Sequence, residues 1–161
     1  MKFEKFSRSF SNFSGSAGVS VEASDAITLK ANIARGFRSP ILAELASNGA
    51  HEGTNRYEYG QQDLKSETSL QFDAGLNFNY EHFSIDISAF HNSINDFIFY
   101  RKLEAFGGGD SLVLNDGDLI QAFKFNQQNA KLSGVEASID IHPHPLDWLH
   151  FENSFSFVRG Q

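Results

Sequence analysis

From Leu70 to Tyr80 apolar and small or polar residues alternate almost without a break. Leu70, Phe72, Ala74, Leu76, Phe78 and Tyr80 share one face, and Gln71, Asp73, Gly75, Asn77 and Asn79 share the other. A repeat of two is a strand with one greasy and one wet surface, not a helix. Ile27, Leu29, Ala31 and Ile33 alternate in the same way with Thr28, Lys30, Asn32 and Ala34, predicting a strand over Ile27–Arg38. Before it, Phe13, Ala17, Val19, Val21 and Ala23 set against Asn12, Ser14, Ser16, Ser20 and Glu22 predict a strand from Asn12 to Ala23, turned by Ser24-Asp25-Ala26. Beyond a tight Glu81-His82 turn, Phe83, Ile85, Ile87 and Ala89 oppose Ser84, Asp86 and Ser88. Above Ala89 the phase is lost, which a β-bulge would explain. Leu119–Asn129 and Leu132–His142 read as one long strand or two collinear pieces. Pro143-His144-Pro145 turns the chain, and Trp148 to Phe157 forms the last strand.

The connections alternate short and long. Residues 39–66 and about 102–118 are polar loops far longer than ordinary hairpin connections, while the turns between them are a few residues. In the first loop Ser39 as N-cap and Pro40 at the first helical position predict a short helix over Ile41–Ala46, ended by Asn48-Gly49. The second carries Gly107-Gly108-Gly109 and Asn115-Asp116-Gly117-Asp118. About six strands in three hairpins, with both long loops on one side, form the asymmetry of an outer-membrane β-barrel. Ile27 to Phe37 is close to the roughly 9–11 residues that a tilted strand needs to cross a bilayer.

Composition sharpens this. Phe is abundant, with 17 in 161 residues, yet mean hydropathy is −0.33. A barrel resolves that conflict by showing rings to lipid while every second residue faces water. The net charge of −7 and the lack of a Lys/Arg stripe predict no nucleic-acid partner. Cysteine is absent, and no window approaches the roughly 20 apolar residues of a transmembrane helix. Met1–Phe6 has no apolar signal core and Val158–Gln161 lacks a terminal aromatic residue, so the chain is expected to be a piece of a longer precursor.

Candidate chemistry is sparse. No Gly-Lys-Ser/Thr follows the glycine triplet and no nucleophile elbow exists, so no catalytic residue and no cofactor is predicted. Asp110, Asp116 and Asp118 offer the oxygen ligands of a Ca²⁺ site but read as a solvated loop, so no metal is predicted. His142 and His144 flank Pro143 at a tight turn and read as interfacial or solvent-exposed, His82 sits in another turn, and the His51-Glu52 pair in the first long loop is a candidate ligand contact. Arg35 falls on the lipid-facing phase near the rim. Arg38 and Glu67 share the inward phase of neighbouring strands and are expected within reach of each other or of whatever fills the lumen. Tyr80, Phe83 and Trp148 gather at the short-turn side, as an interfacial aromatic girdle would.

Ala34-Arg35-Gly36-Phe37-Arg38-Ser39-Pro40, then Ala43-Glu44-Leu45, Arg56-Tyr57-Glu58-Tyr59-Gly60 and Asp63–Ser69 resemble a strand–loop–strand of TonB-dependent outer-membrane receptors. Ala89–Ile98 and Asn129–Glu136 are similar to two later strands of that family, in the same order. The resemblance departs at Ser39 and Ser66, where Ala and Pro are commoner. It implies an all-β antiparallel meander, residues 1–161 forming part of a barrel of about 22 strands. It also implies a parent receptor in the outer membrane of a Gram-negative bacterium that imports a ferric siderophore or other scarce metal complex. The partners implied are outer-membrane lipid, a plug domain with the rest of the barrel, and TonB. His51, Glu52, Arg56, Tyr57 and Tyr59 would meet the ligand outside; Arg38, Glu67, Asp73 and Glu136 would face the plug. The competing readings are a small complete barrel of the adhesin kind and a soluble β-barrel binder, which would bury Leu70, Phe72, Leu76 and Phe78 in a core.

Overall fold

The computed structural model describes residues 6–51, 53–146 and 148–161; Glu52 lies outside the described residues. The elements run β1 (Gly15–Ser24), β2 (Ile27–Arg38), α1 (Leu42–Ala46), β3 (Asn48–His51), β4 (Arg56–Tyr59), β5 (Glu67–Tyr80), β6 (Phe83–Lys102), β7 (Leu112–Asn115), β8 (Asp118–Ile141) and β9 (Phe151–Gly160). The protein is all-β, with sheet order β1-β2-β5-β6-β8-β4-β3 and with β7 and β9 also paired to β8. Among the described residues the count is thus nine strands, not six: six of ten residues or more and three of four. The three short ones lie in the segments expected to be loops. β1 starts at Gly15 and not Asn12, β6 carries on to Lys102, and β9 starts at Phe151 and not Trp148. The stretch from residue 118 to 141 is one continuous strand.

The chain divides into two compact units. One holds Phe13–Gly36, Ser69–Ile94 and Ala130–Gln161, with antiparallel strand pairing. Its first ladder runs from Gly15↔Arg35 to Glu22↔Thr28, with a register shift between Glu22 and Ser24. The ladder of β8 with β9 pairs every residue from Leu132↔Gly160 to Ile141↔Phe151. At Gly134 a Cβ would stand 2.5 Å from the Phe90 ring, so the missing side chain is what lets that ring lie across the strand. The alternation read from the sequence is present with an unusual sign. Leu70 and Phe72 are 39% and 48% exposed, whereas the alternate residues Gln71 and Asp73 are half-buried. Val19, Val21, Leu29, Ile33, Val135, Ile139, Phe155 and Phe157 are exposed as well. Polar side chains instead pair across strands, Asn32 Nδ2 donating to Asp73 Oδ2 at 3.0 Å and Asn77 Nδ2 to Asp86 Oδ1 at 2.6 Å. Lys30, Asn77, Asp86, Ser88 and Glu136 line a concavity of about 480 Å³ with Ser138, Ser154 and Ser156.

The other unit comprises the segment ending at Asn12, Phe37–Thr68 and Asn95–Asn129. All five buried hydrophobic residues among the described ones belong to it: Leu45, Leu64, Ile98, Ile120 and Ala122. Leu45, Leu64 and Ile98 pack together under Phe6, Phe10 and Phe125. The expected helix begins later than its predicted cap. Ile41 flanks its start, and Glu44, three residues on, reaches back to accept the Ile41 N–H at 2.9 Å, so Ser39 and Pro40 are not the cap and first turn. After it, β3 and β4 form a hairpin, Asn48↔Tyr59 to His51↔Arg56, and β4 adds in parallel to Gln121–Lys124 of β8. In the second expected loop β7 folds back on β8, Leu112↔Gln121 to Asn115↔Asp118. Asp96 adopts φ +55° within β6, a left-handed residue that displaces the side-chain phase beyond it, whereas Phe90 breaks the alternation earlier because its ring lies across Gly134.

The close of the first long segment is tight. Gly60 donates to the Ser47 carbonyl at 2.7 Å, and a Cβ there would meet the Ala46 and Ser47 nitrogens at 2.5 and 2.6 Å. These are backbone atoms that cannot swing aside. Gly60→Ala is expected to cost about 2 kcal/mol and to speed amide exchange across Asn48–Tyr59, read by hydrogen-exchange mass spectrometry. Protection equal to the parent's would contradict this packing.

Candidate functional site

Two clusters in the second-described unit hold, in one, Arg38 and Glu67 and, in the other, His51, Arg56, Tyr57 and Tyr59. At the end of β2, one residue past the Ile27–Phe37 span, Arg38 meets two carboxylates. Its Nε and Nη2 donate to Glu67 Oε2 and Oε1, both at 2.8 Å, as a two-pronged fork. Its Nη1 donates to both oxygens of Glu44 at 2.9 and 3.0 Å. The reach expected between Arg38 and Glu67 is therefore observed. Glu67 Oε1 also accepts the buried Ile98 N–H at 2.5 Å. Burial by itself would raise the Glu67 pKa, but the Arg38 fork and the Ile98 N–H outweigh it and hold the carboxyl below its ordinary value. Arg38 is held above its own ordinary value chiefly by its bond to Glu67, with burial opposing and Glu44 adding. The cluster is a brace: β2, α1, β5 and β6 each supply a group to it.

The second cluster is the β3–β4 hairpin. Arg56 donates from Nε to Glu58 Oε1 at 2.6 Å, and its guanidinium lies over the Tyr100 ring at 4.2 Å, with Phe123 at 6.0 Å. Desolvation pulls its pKa down, and the bonds to Glu58 and Tyr100 more than reverse that. Tyr57 and Tyr59 rings stand 5.0 Å apart, and the Tyr57 hydroxyl donates to Asn48 Oδ1 at 3.0 Å. His51 is exposed, its Nδ1 3.2 Å from the Thr54 hydroxyl. The structure thus gathers His51, Arg56, Tyr57 and Tyr59 on one hairpin, with Arg56 already held by Glu58 and Tyr100. Tyr100 and Phe123 were not singled out in the sequence, while Glu44 and Asn48 stood there only as part of the family motif and as a helix end. Glu44 had a further readable signal, as the acidic residue in the first helical turn whose carboxylate can reach back to accept the N–H three residues earlier.

The remaining residues lie elsewhere. Asp73 accepts from Asn32 and from Gln71 Nε2, the latter at 2.7 Å, and Glu136 is exposed on the concavity. Arg35 stacks on Phe13 at 4.0 Å and donates to the Phe13 carbonyl. Phe78, Tyr80 and Phe83 gather with centroids 5.4–6.5 Å apart, and Trp148 is 76% exposed.

The family model described as "TonB dependent receptor-like, beta-barrel" matches residues 2–161. A transferrin-binding protein A of Haemophilus influenzae is 31% identical over 82% of this chain and 13% of its own length. A probable TonB-dependent siderophore receptor, PirA of Acinetobacter baumannii, is 28% identical over 98% of this chain and 23% of its own. In structure, the siderophore receptor PirA of Pseudomonas aeruginosa superposes with a TM-score of 0.68 at 21% identity, over 92% of this chain and 25% of that one. The chain therefore spans less than a quarter of the curated relatives it matches.

Proposed function

Because the chain belongs to the TonB-dependent receptor β-barrel family, we propose that it is part of an outer-membrane receptor importing a scarce nutrient as a metal chelate, driven through TonB. The match across residues 2–161 carries the reading. Members of this family are outer-membrane transporters and not enzymes, and relatives carry siderophore and transferrin in their names. The inverted strand surfaces support the membrane location. Leu29, Ile33, Leu70 and Phe72 are exposed, where a soluble binder would bury them. In lipid such rows are solvated, and every backbone polar group is satisfied strand to strand. In this reading Asn32, Asp73, Asn77, Asp86 and Glu136 face a lumen that the plug fills. The Arg38–Glu67–Glu44 brace stiffens the rim from which the capture segments rise.

The hairpin Asn48–Tyr59 is the proposed capture element. It presents exposed His51 and two tyrosines beside a guanidinium, groups suited to an anionic, aromatic chelate. Its cation is shared with Glu58, so the ligand meets a polarised aromatic surface and not a lone charge. Deleting residues 48–59 in the parent receptor is expected to weaken binding of its ferric chelate at least about tenfold, a loss of about 1.4 kcal/mol. Fluorescence quenching on cells checks this, with surface abundance of the folded barrel as control. Undiminished binding at equal abundance would remove the hairpin from the ligand site.

A further inference from the structure

The β8–β9 ladder ends in a set of side chains that none of the preceding functions uses. Its last rung is Ile141↔Phe151, so the next pair along the same register is His142 opposite His150. A period of two puts Asp140 on the face of His142. Three potential ligand atoms from Asp140, His142 and His150 indeed lie within 4.8 Å of one another. Nδ1 of His150 stands 3.2 Å from Asp140 Oδ2, and Nδ1 of His142 stands 3.6 Å from the same oxygen. The two rings are stacked with centroids 5.6 Å apart.

The protonation pattern of His142 makes this arrangement informative. Its Nε2 is 3.0 Å from the Glu81 carbonyl, which can only accept, so Nε2 carries the hydrogen. In the neutral ring Nδ1 is then a bare lone pair. That atom is buried, has no hydrogen-bond partner, and points toward a carboxylate oxygen. A lone pair facing an anion repels it unless a cation lies between them. A carbonyl holding the far N–H of an imidazole is also the usual outer support of a metal-bound histidine.

We infer that Asp140, His142 and His150 form a binding site for a divalent first-row transition ion of the Zn²⁺ class. Two imidazole nitrogens and one carboxylate suit that class and not Ca²⁺ or Mg²⁺, which take all-oxygen shells. With bonds of about 2.0–2.1 Å, tetrahedral ligand atoms sit about 3.3 Å apart, and the observed 3.2 and 3.6 Å bracket this spacing. Three protein ligands leave a fourth position for water or a chelate donor. The ion would clamp the last rung of the β8–β9 hairpin to the Glu81-His82 turn, whose His82 carbonyl also accepts the His142 N–H at 2.9 Å.

Zn²⁺ titrated into the full chain in detergent micelles at pH 7.5, in competition with a chromophoric chelator, tests this. One ion per chain is expected. His142→Ala and His150→Ala are each expected to weaken binding about 100-fold and Asp140→Asn about tenfold, while His91→Ala leaves it unchanged. His150 is half exposed, so its variant folds even where His142→Ala does not. Substitution by Co²⁺ gives the intense visible bands of a four-coordinate site, lost in His150→Ala. Absence of binding at about 100 µM Zn²⁺, far above any dedicated site's range, overturns the site and leaves a proton shared between His142 and Asp140. Equal binding by wild type and the His142→Ala/His150→Ala pair overturns it too.

Discussion

Glu67→Ala is expected to lower unfolding free energy in micelles by about 3 kcal/mol, close to the lower limit for breaking a buried ion pair. Two losses add. Arg38 loses both bonds of its fork, and the Ile98 N–H loses the acceptor it meets at 2.5 Å. An unpaired buried N–H costs about 1–3 kcal/mol. The Arg38 share is smaller than for a fully buried ion because its side chain is 42% exposed and Glu44 still accepts from it. Glu67→Gln keeps an acceptor for Ile98 and removes the charge, so its cost should be about half. The same bond sets a pH dependence. Glu67 titrates below its ordinary value in the folded state, so its stabilisation is full above the unfolded value, about pH 4.3, and fades as pH falls through the folded value. Urea midpoints for wild type and Glu67→Gln should therefore converge below about pH 4. A difference constant from pH 7 to pH 3 would mean that the carboxylate form of Glu67 contributes nothing.

The strands crossing the sheet were legible because their information is local. Leu70–Tyr80 and Ile27–Ile33 announce both strand and face with no partner in view, and their exposure in the fold agrees. The elements that escaped are those whose pairing is distant. Asn48–His51 and Arg56–Tyr59 have four residues each and no alternation, and β4 finds its partner at Gln121–Lys124, more than sixty positions on. Short polar strands of that kind take their shape from the edge they join, not from propensity. A similar limit hid the histidine cluster. His142 and His150 look unrelated along the chain and face each other once the Ile141↔Phe151 register is known. Asp96 shows a third kind of loss, where a single left-handed residue within β6 has no signature in the alternation around it. In the rim cluster, Arg38 and Glu67 were found by phase, whereas Glu44 depended on the true start of a helix displaced from its predicted cap by two residues.

Phe72→Lys separates the membrane reading from every soluble one by magnitude alone. Phe72 sits near the middle of β5, is 48% exposed, and lies in the same row as Leu70. On a protein bathed in water, a lysine at a half-exposed strand position costs within about 0.5 kcal/mol, and it even improves solubility. At the midplane of a bilayer the ammonium must shed water or drag it inward, and the cost is about 2–4 kcal/mol. The comparison has an internal control in Asn79, exposed on the opposite phase near the Glu81-His82 turn. There a lysine meets water in either setting, so Asn79→Lys should stay near wild type. Refolding into lipid vesicles with urea titration is expected to give a loss of about 3 kcal/mol for Phe72→Lys and little for Asn79→Lys. Ile33→Lys, on the apolar row of β2, should follow Phe72→Lys. If both apolar-row lysines cost no more than Asn79→Lys in vesicles, the outward rows do not contact lipid, and the receptor reading loses its physical support.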